Sequence, residues 1–214
     1  QTSCATVVLI DMSGSMGRYG KYAMTKKVAL ALQAMVRGQY AQDTLQLVGF
    51  YTYANVLTER ELLNSAPKPV SLFDSRVHLR YSLDDPPKRV PQHFTNIHAG
   101  LKLGRSLLAK SGAANKQIIV ITDGEPTAHF DDGHVRFSYP PTPKTFQETL
   151  REVMRCTRDG ITINTFMLER SPYMVQFIND LTRINGGRVF VATPDRLGEY
   201  ILVDYVANKH KWIG

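Results

Sequence analysis

A carboxylate and two hydroxyls stand at alternate positions in Asp11-Met12-Ser13-Gly14-Ser15, directly after an apolar run from Val7 to Ile10. Oxygen donors of this kind suit a hard cation such as Mg2+ better than any softer metal. Gly14 is expected to let the backbone turn tightly enough for the two hydroxyls to converge. Taken singly, Ser13 and Ser15 also read as ordinary turn and cap residues. His129, Asp131 and His134 are metal-ligand types as well, but no anchoring ligand stands at suitable spacing, and they read as solvated residues of a hairpin.

Those oxygens need a scaffold. The β-branched run before Asp11 reads as a strand buried on both faces, and its carboxyl end faces the crevice where open α/β sheets bind ligands. Apolar residues at Met24, Val28, Leu32, Met35 and Val36 make one face of a helix over Lys21 to Gly38. Strand Leu45 to Tyr53 follows, then an antiparallel edge strand over Val56 to Leu63, with Glu59, Arg60 and Glu61 discouraging further pairing. A helix from Ile97 to Lys110, strand Gln117 to Thr122 and a helix around Thr145 to Arg158 come next. The pattern ends with strand Ile161 to Leu168, helix Tyr173 to Ile184, strand Arg188 to Ala192 and a helix over about Asp195 to Lys209. The last helix carries the apolar stripe Leu197, Ile201 and Tyr205. This alternation predicts an α/β, Rossmann-like doubly wound fold: a mostly parallel sheet, one antiparallel edge strand and helices on both faces.

Composition is that of one globular domain: 214 residues, 43% hydrophobic and 21% charged. Lys and Arg are scattered despite a net charge of +7, which reads as a solvated surface with no nucleic acid partner. No apolar run approaches the ~18 residues of a membrane span, so no membrane contact by this domain is expected. Without an initiator Met or signal-peptide pattern, the chain reads as a piece of a longer protein. Cys4 and Cys156 read as buried thiols. Two stretches break the alternation. About 65–94 contains five prolines and a strand-like piece at Val77 to Tyr81, and about 125–143 contains the hairpin signal Asp132-Gly133. Long loops on such a scaffold are more often binding elements than filler.

Asp11-Met12-Ser13-Gly14-Ser15 resembles the DxSxS signature that opens the metal-ion-dependent adhesion site of von Willebrand factor type A (VWA) domains. The resemblance covers nearly the whole chain as a single domain over 1–214, with the two stretches above as insertions. It implies that Thr95, in Phe94-Thr95-Asn96-Ile97, and Asp123, in Ile121-Thr122-Asp123-Gly124, complete the site. Each has an ordinary alternative, since a threonine ahead of a helix reads as a cap and Asp-Gly after a strand reads as a turn. The implied metal ligands are Asp11, Ser13, Ser15, Thr95 and Asp123. The implied cofactor is Mg2+, with Mn2+ or Ca2+ as alternatives. Neutral hydroxyls would leave the ion electron-poor, so an empty coordination position would favour an acidic side chain of a protein partner. Glu125 and His98 lie near the proposed rim in sequence and are candidate partner contacts.

The expected function is therefore a metal-dependent protein–protein interaction module and not an enzyme. The alternative is a Mg2+-dependent phosphoryl-transfer enzyme on the same fold. Three features oppose it: Ser13 stands where a haloacid-dehalogenase-type nucleophile motif wants Asp, Gly14 to Lys21 fit neither GxxxxGK[ST] nor GxGxxG, and no GxSxG elbow surrounds Ser13 or Ser15. The chain most resembles prokaryote-type members of the family, often found beside AAA+ ATPases. That similarity leans towards an AAA+ assembly and a cytoplasmic setting.

Overall fold

The computed structural model describes residues 3–211. Strand β1 (Cys4–Asp11) is buried along its whole length. It pairs in parallel with β2 (Thr44–Phe50) on one side and β5 (Asn115–Thr122) on the other. β8 (Ile161–Met167) and β9 (Val189–Val191) extend the parallel sheet beyond β5, and β3 (Ala54–Leu57) closes the far edge antiparallel to β2. Successive residues of a strand point to opposite faces. Val8, Ile10, Ile119 and Ile121 therefore join the core under α1 (Lys21–Gln39) and α6 (Leu197–Lys211). Val7, Leu9, Ile118 and Val120 join the core under α3 (Ile97–Ala109), α4 (Pro143–Arg158) and α5 (Pro172–Asn185). This is the doubly wound arrangement expected. Leu197, Ile201 and Tyr205 are buried in the first core, and Cys4 and Cys156 are buried thiols.

The edge strand expected over Val56–Leu63 is a correction. β3 ends at Leu57, and Glu59–Asn64 form a short helix, α2. The Thr58 hydroxyl accepts from the Glu61 N–H at 3.2 Å, and the Glu61 carboxylate accepts from the Thr58 N–H at 2.7 Å. Thr-x-x-Glu is a capping box, a start signal that outranks the charge pattern of an edge. Leu62 turns inward and is fully buried.

The two stretches that broke the alternation build one structure. β4 (Val77–Ser82) comes from the first, and β6 (Ala128–Asp131) and β7 (His134–Tyr139) come from the second. They pair antiparallel in the order β4-β7-β6 as a separate small sheet. Asp132 and Gly133, at φ +47° and +68°, make the expected hairpin turn. Val77, Phe94, Ala128, Val135 and Phe137 form a third core beneath it.

This small structure leans on the loop after β1. The Gly14 N–H donates to the His93 carbonyl at 3.1 Å, and the Lys68 N–H donates to the Met12 carbonyl at 2.8 Å. Gly14 is not needed for its backbone angles, because its φ lies outside the left-handed region. Its contribution is space: a Cβ there would come within 2.6 Å of Val70 Cγ2.

Candidate metal centre

β1, β2, β5 and β8 run parallel, so the loops after them share one rim. Asp11 ends β1 and is fully buried. One of its oxygens accepts from the Ser13 N–H at 2.8 Å, and the other accepts from the Thr122 hydroxyl, at the end of β5, at 2.7 Å. The chain then coils into a 3-10 turn over Gly14–Gly17. At its start the Ser13 and Ser15 hydroxyls lie 3.2 Å apart, Ser13 being the residue just before the turn, and Ser15 Oγ donates to Asp123 Oδ1 at 2.8 Å. Asp11, Ser13, Ser15 and Asp123 thus form one hydrogen-bonded cluster. Burial first, then the neighbouring Asp123 carboxylate, push the Asp11 carboxyl up to about 7, against the hydrogen bonds from Ser13 and Thr122.

A cation already faces this cluster. Lys21 Nζ donates to Asp123 Oδ2 at 2.5 Å and to Glu169 Oε2 at 2.8 Å. Lys21 is only 3% exposed, whereas the Glu169 side chain is 61% exposed. Burial alone would push the Lys21 ammonium down, but its hydrogen bonds to Asp123 and Glu169 outweigh that and hold it above the ordinary lysine value. Sequence reasoning missed Lys21, Glu169 and Thr122. A signal for Lys21 existed: it is the first residue of α1, where the helix dipole disfavours positive charge unless an anion is near.

Thr95 is buried just before α3. The helix cap is its neighbour Asn96, which accepts from the Ala99 N–H at 2.9 Å, so Thr95 does not take the cap position. Thr127 pins the Thr95 backbone: the Thr95 N–H donates to Thr127 Oγ1, and the Thr95 carbonyl accepts from the Thr127 N–H, each at 2.9 Å. Thr95 and Ser15 line the same cleft. The donors are all oxygen, two carboxylates and three hydroxyls, and this set fits a hard divalent ion. Among the described residues no group of three or more His, Cys, Asp or Glu side chains is placed to hold a metal.

The remaining candidates are placed differently. Glu125 is half-buried and accepts from the Ser171 hydroxyl, which also caps α5. His98 is a correction, for it is buried and does not offer a partner contact. Its Nδ1 accepts from the Phe130 N–H at 3.0 Å and ties α3 to β6. Burial pushes His98 down to about 4, despite the pull of Glu152. His129 is not solvated either. Ala128 and Phe130 face the third core, so His129 points the other way, is buried, and meets the Thr145 hydroxyl at 3.1 Å. Asp131 pairs with Arg136 at 3.0 Å.

A mostly parallel doubly wound sheet with these loops at its rim defines a VWA domain, a class that generally serves protein interaction without catalysis. More particularly, the chain belongs to the family described as Rv0959-like protein, vWA domain, whose family model matches residues 4–206. Protein Rv0959 of Mycobacterium tuberculosis (strain ATCC 25618 / H37Rv) is 32% identical over 99% of this chain, which spans 29% of that relative's length. Among solved structures, the vWF domain of the type V pili tip protein Mfa5 from Porphyromonas gingivalis aligns with TM-score 0.70 and 14% identity, covering 98% of this chain and 95% of that one. Proximal thread matrix protein 1 from the mussel byssus, with a zinc-occupied MIDAS motif, aligns with TM-score 0.57 and 14% identity over 92% and 43% of the two chains.

Proposed function

We propose that this domain is a metal-dependent protein–protein interaction module. Asp11, Ser13, Ser15, Thr95 and Asp123 would hold the divalent ion, with Mg2+ the first choice and Mn2+ or Ca2+ the alternatives. The observation that carries the reading is the cluster of Asp11, Ser13, Ser15 and Asp123, with an ammonium already seated on Asp123. Two buried carboxylates this close favour added positive charge. The zinc-occupied site of the mussel protein supports a divalent ion at this rim. The bound ion would supply an electrophilic position that an Asp or Glu of a partner completes. Around it Ser13, Ser15 and Thr95 orient neutral oxygens, Thr122 fixes the Asp11 carboxylate, and Lys21 offsets the charge of Asp123.

The partner's setting follows from the family resemblance, which leans towards an AAA+ ATPase assembly. A pull-down from the native source, with Mg2+ and then with chelator, tests metal dependence and identifies the partner. Asp11→Ala is expected to abolish Mg2+ binding by calorimetry and to remove the metal-dependent part of the pull-down, with the far-ultraviolet dichroism unchanged. Capture that persists undiminished in chelator would defeat the mechanism.

A further inference from the structure

The cleft onto which Ser15 and Thr95 open has a wall that the metal loops do not provide. It holds about 340 Å3, towards the small end of the roughly 300–1,000 Å3 range of ligand pockets. Val77 and Phe94, both buried, line it together with Val70, Leu72, Phe73 and Tyr139. All six come from the small sheet and the segments that lead into and out of it. Phe73 is 88% exposed and Tyr139 48% exposed. Aromatic rings left in water beside a polar site mark a contact surface better than they mark packing.

The wall is braced in place. The His93 ring stacks on Phe94 with centroids 4.6 Å apart. The same residue accepts from the Gly14 N–H through its carbonyl and from the Ser71 N–H through Nδ1, the latter at 3.3 Å. Arg18 and Asp74 also line the cleft and oppose each other in charge. Hydrocarbon, not net charge, therefore sets what the cleft accepts.

We infer that this cleft selects the partner by the residue beside its acidic ligand. The occupant is one apolar side chain, of leucine or phenylalanine size, next to the Asp or Glu that reaches the metal. The argument is the continuity of the two surfaces: Ser15 and Thr95 of the candidate metal site line the same cleft as the six apolar side chains, with Arg18 and Asp74 as its charged residues. The inference rests on the metal-dependent reading above.

Small carboxylates test it without knowledge of the partner. The 15N-labelled domain is titrated with acetate, butyrate and 3-phenylpropanoate in saturating Mg2+, and dissociation constants are read from amide shifts. 3-Phenylpropanoate is expected to bind at least about ten-fold more tightly than acetate, the gain that burial of a ring supplies. Butyrate falls between them. In a Phe73→Ala/Tyr139→Ala variant, both positions being substantially exposed, the advantage should shrink to less than about three-fold. Equal affinity for acetate and 3-phenylpropanoate overturns the cleft and leaves the metal reading standing. If no carboxylate, acetate included, binds in a Mg2+-dependent way, the metal reading fails and takes this inference with it. Tail-dependent binding that survives in chelator, or an advantage undiminished in the double variant, also overturns it.

Discussion

The six-stranded sheet and the three-stranded sheet meet at one rim, and they are held there by different forces. At the end of the large sheet the side chains are polar and buried: Lys21 pairs with Asp123, which also accepts from Ser15, and Asp11 accepts from the Ser13 N–H and the Thr122 hydroxyl. Beside it, the small sheet stands on five buried apolar residues and is tied to the rim mainly by backbone hydrogen bonds. Charges that depend on one another respond to any added cation, whereas packed hydrocarbon does not. On the metal-dependent reading, stability is therefore expected to respond to an added divalent ion at the large sheet and not at the small one.

Lys21→Met should break this contrast most strongly. Removing one partner of a buried ion pair leaves Asp123 uncompensated and costs about 3–5 kcal/mol in metal-free protein. Mg2+ should recover more stability in this variant than in wild type, as measured by urea denaturation with and without the ion. An equal Mg2+ response in both would remove Lys21 from the charge balance of the site. Phe137→Ala, in the middle of the third core, should cost about 3 kcal/mol. Its cost should be the same with and without Mg2+. A Mg2+-dependent cost would mean that the two regions are coupled after all.

Acid should loosen the small sheet through the histidine beneath it. In the folded chain His98 sits at about 4, below its ordinary 6.5, so the unfolded chain binds the proton first. The stability it contributes is complete above about 6.5, falls as pH drops towards 4, and amounts to about 2 kcal/mol between roughly pH 7 and pH 5. Asp11, raised to about 7 in metal-free protein, works in the opposite sense. The quantity to measure is therefore the difference between wild type and His98→Gln, a substitution that keeps an acceptor for the Phe130 N–H. Hydrogen exchange should show β6 and β7 opening before β1 and β5, and exchange of all four together would count against a separate small sheet. Thr58→Ala, which removes one half of the capping box, is the mildest change. It should cost about 1 kcal/mol and leave the Mg2+ response untouched.

The large sheet was legible in the sequence because its signals are local. An apolar β-branched run followed by Asp11, and helical spacing between the strands, are properties of neighbouring residues. Asp11, Ser13 and Ser15 could be read in the same way, while Thr95 and Asp123 entered only through a family resemblance. The edge at residues 56–63 was misread even though its Thr-x-x-Glu signal was also local, since charge was weighed above the cap. His98 and His129 were misplaced because side-chain direction depends on what packs across from them.

By itself, the chain's sequence determined the layered fold and a string of oxygen donors at the end of its first strand, since periodicity and composition act over a few residues. Tertiary structure alone decided that Lys21 and Glu169, 148 residues apart, share one ammonium contact beside Asp123. It also decided that two proline-punctuated stretches pair into a second sheet. Charge balance and strand pairing depend on distances in space, and no local pattern encodes which distant residues will close them.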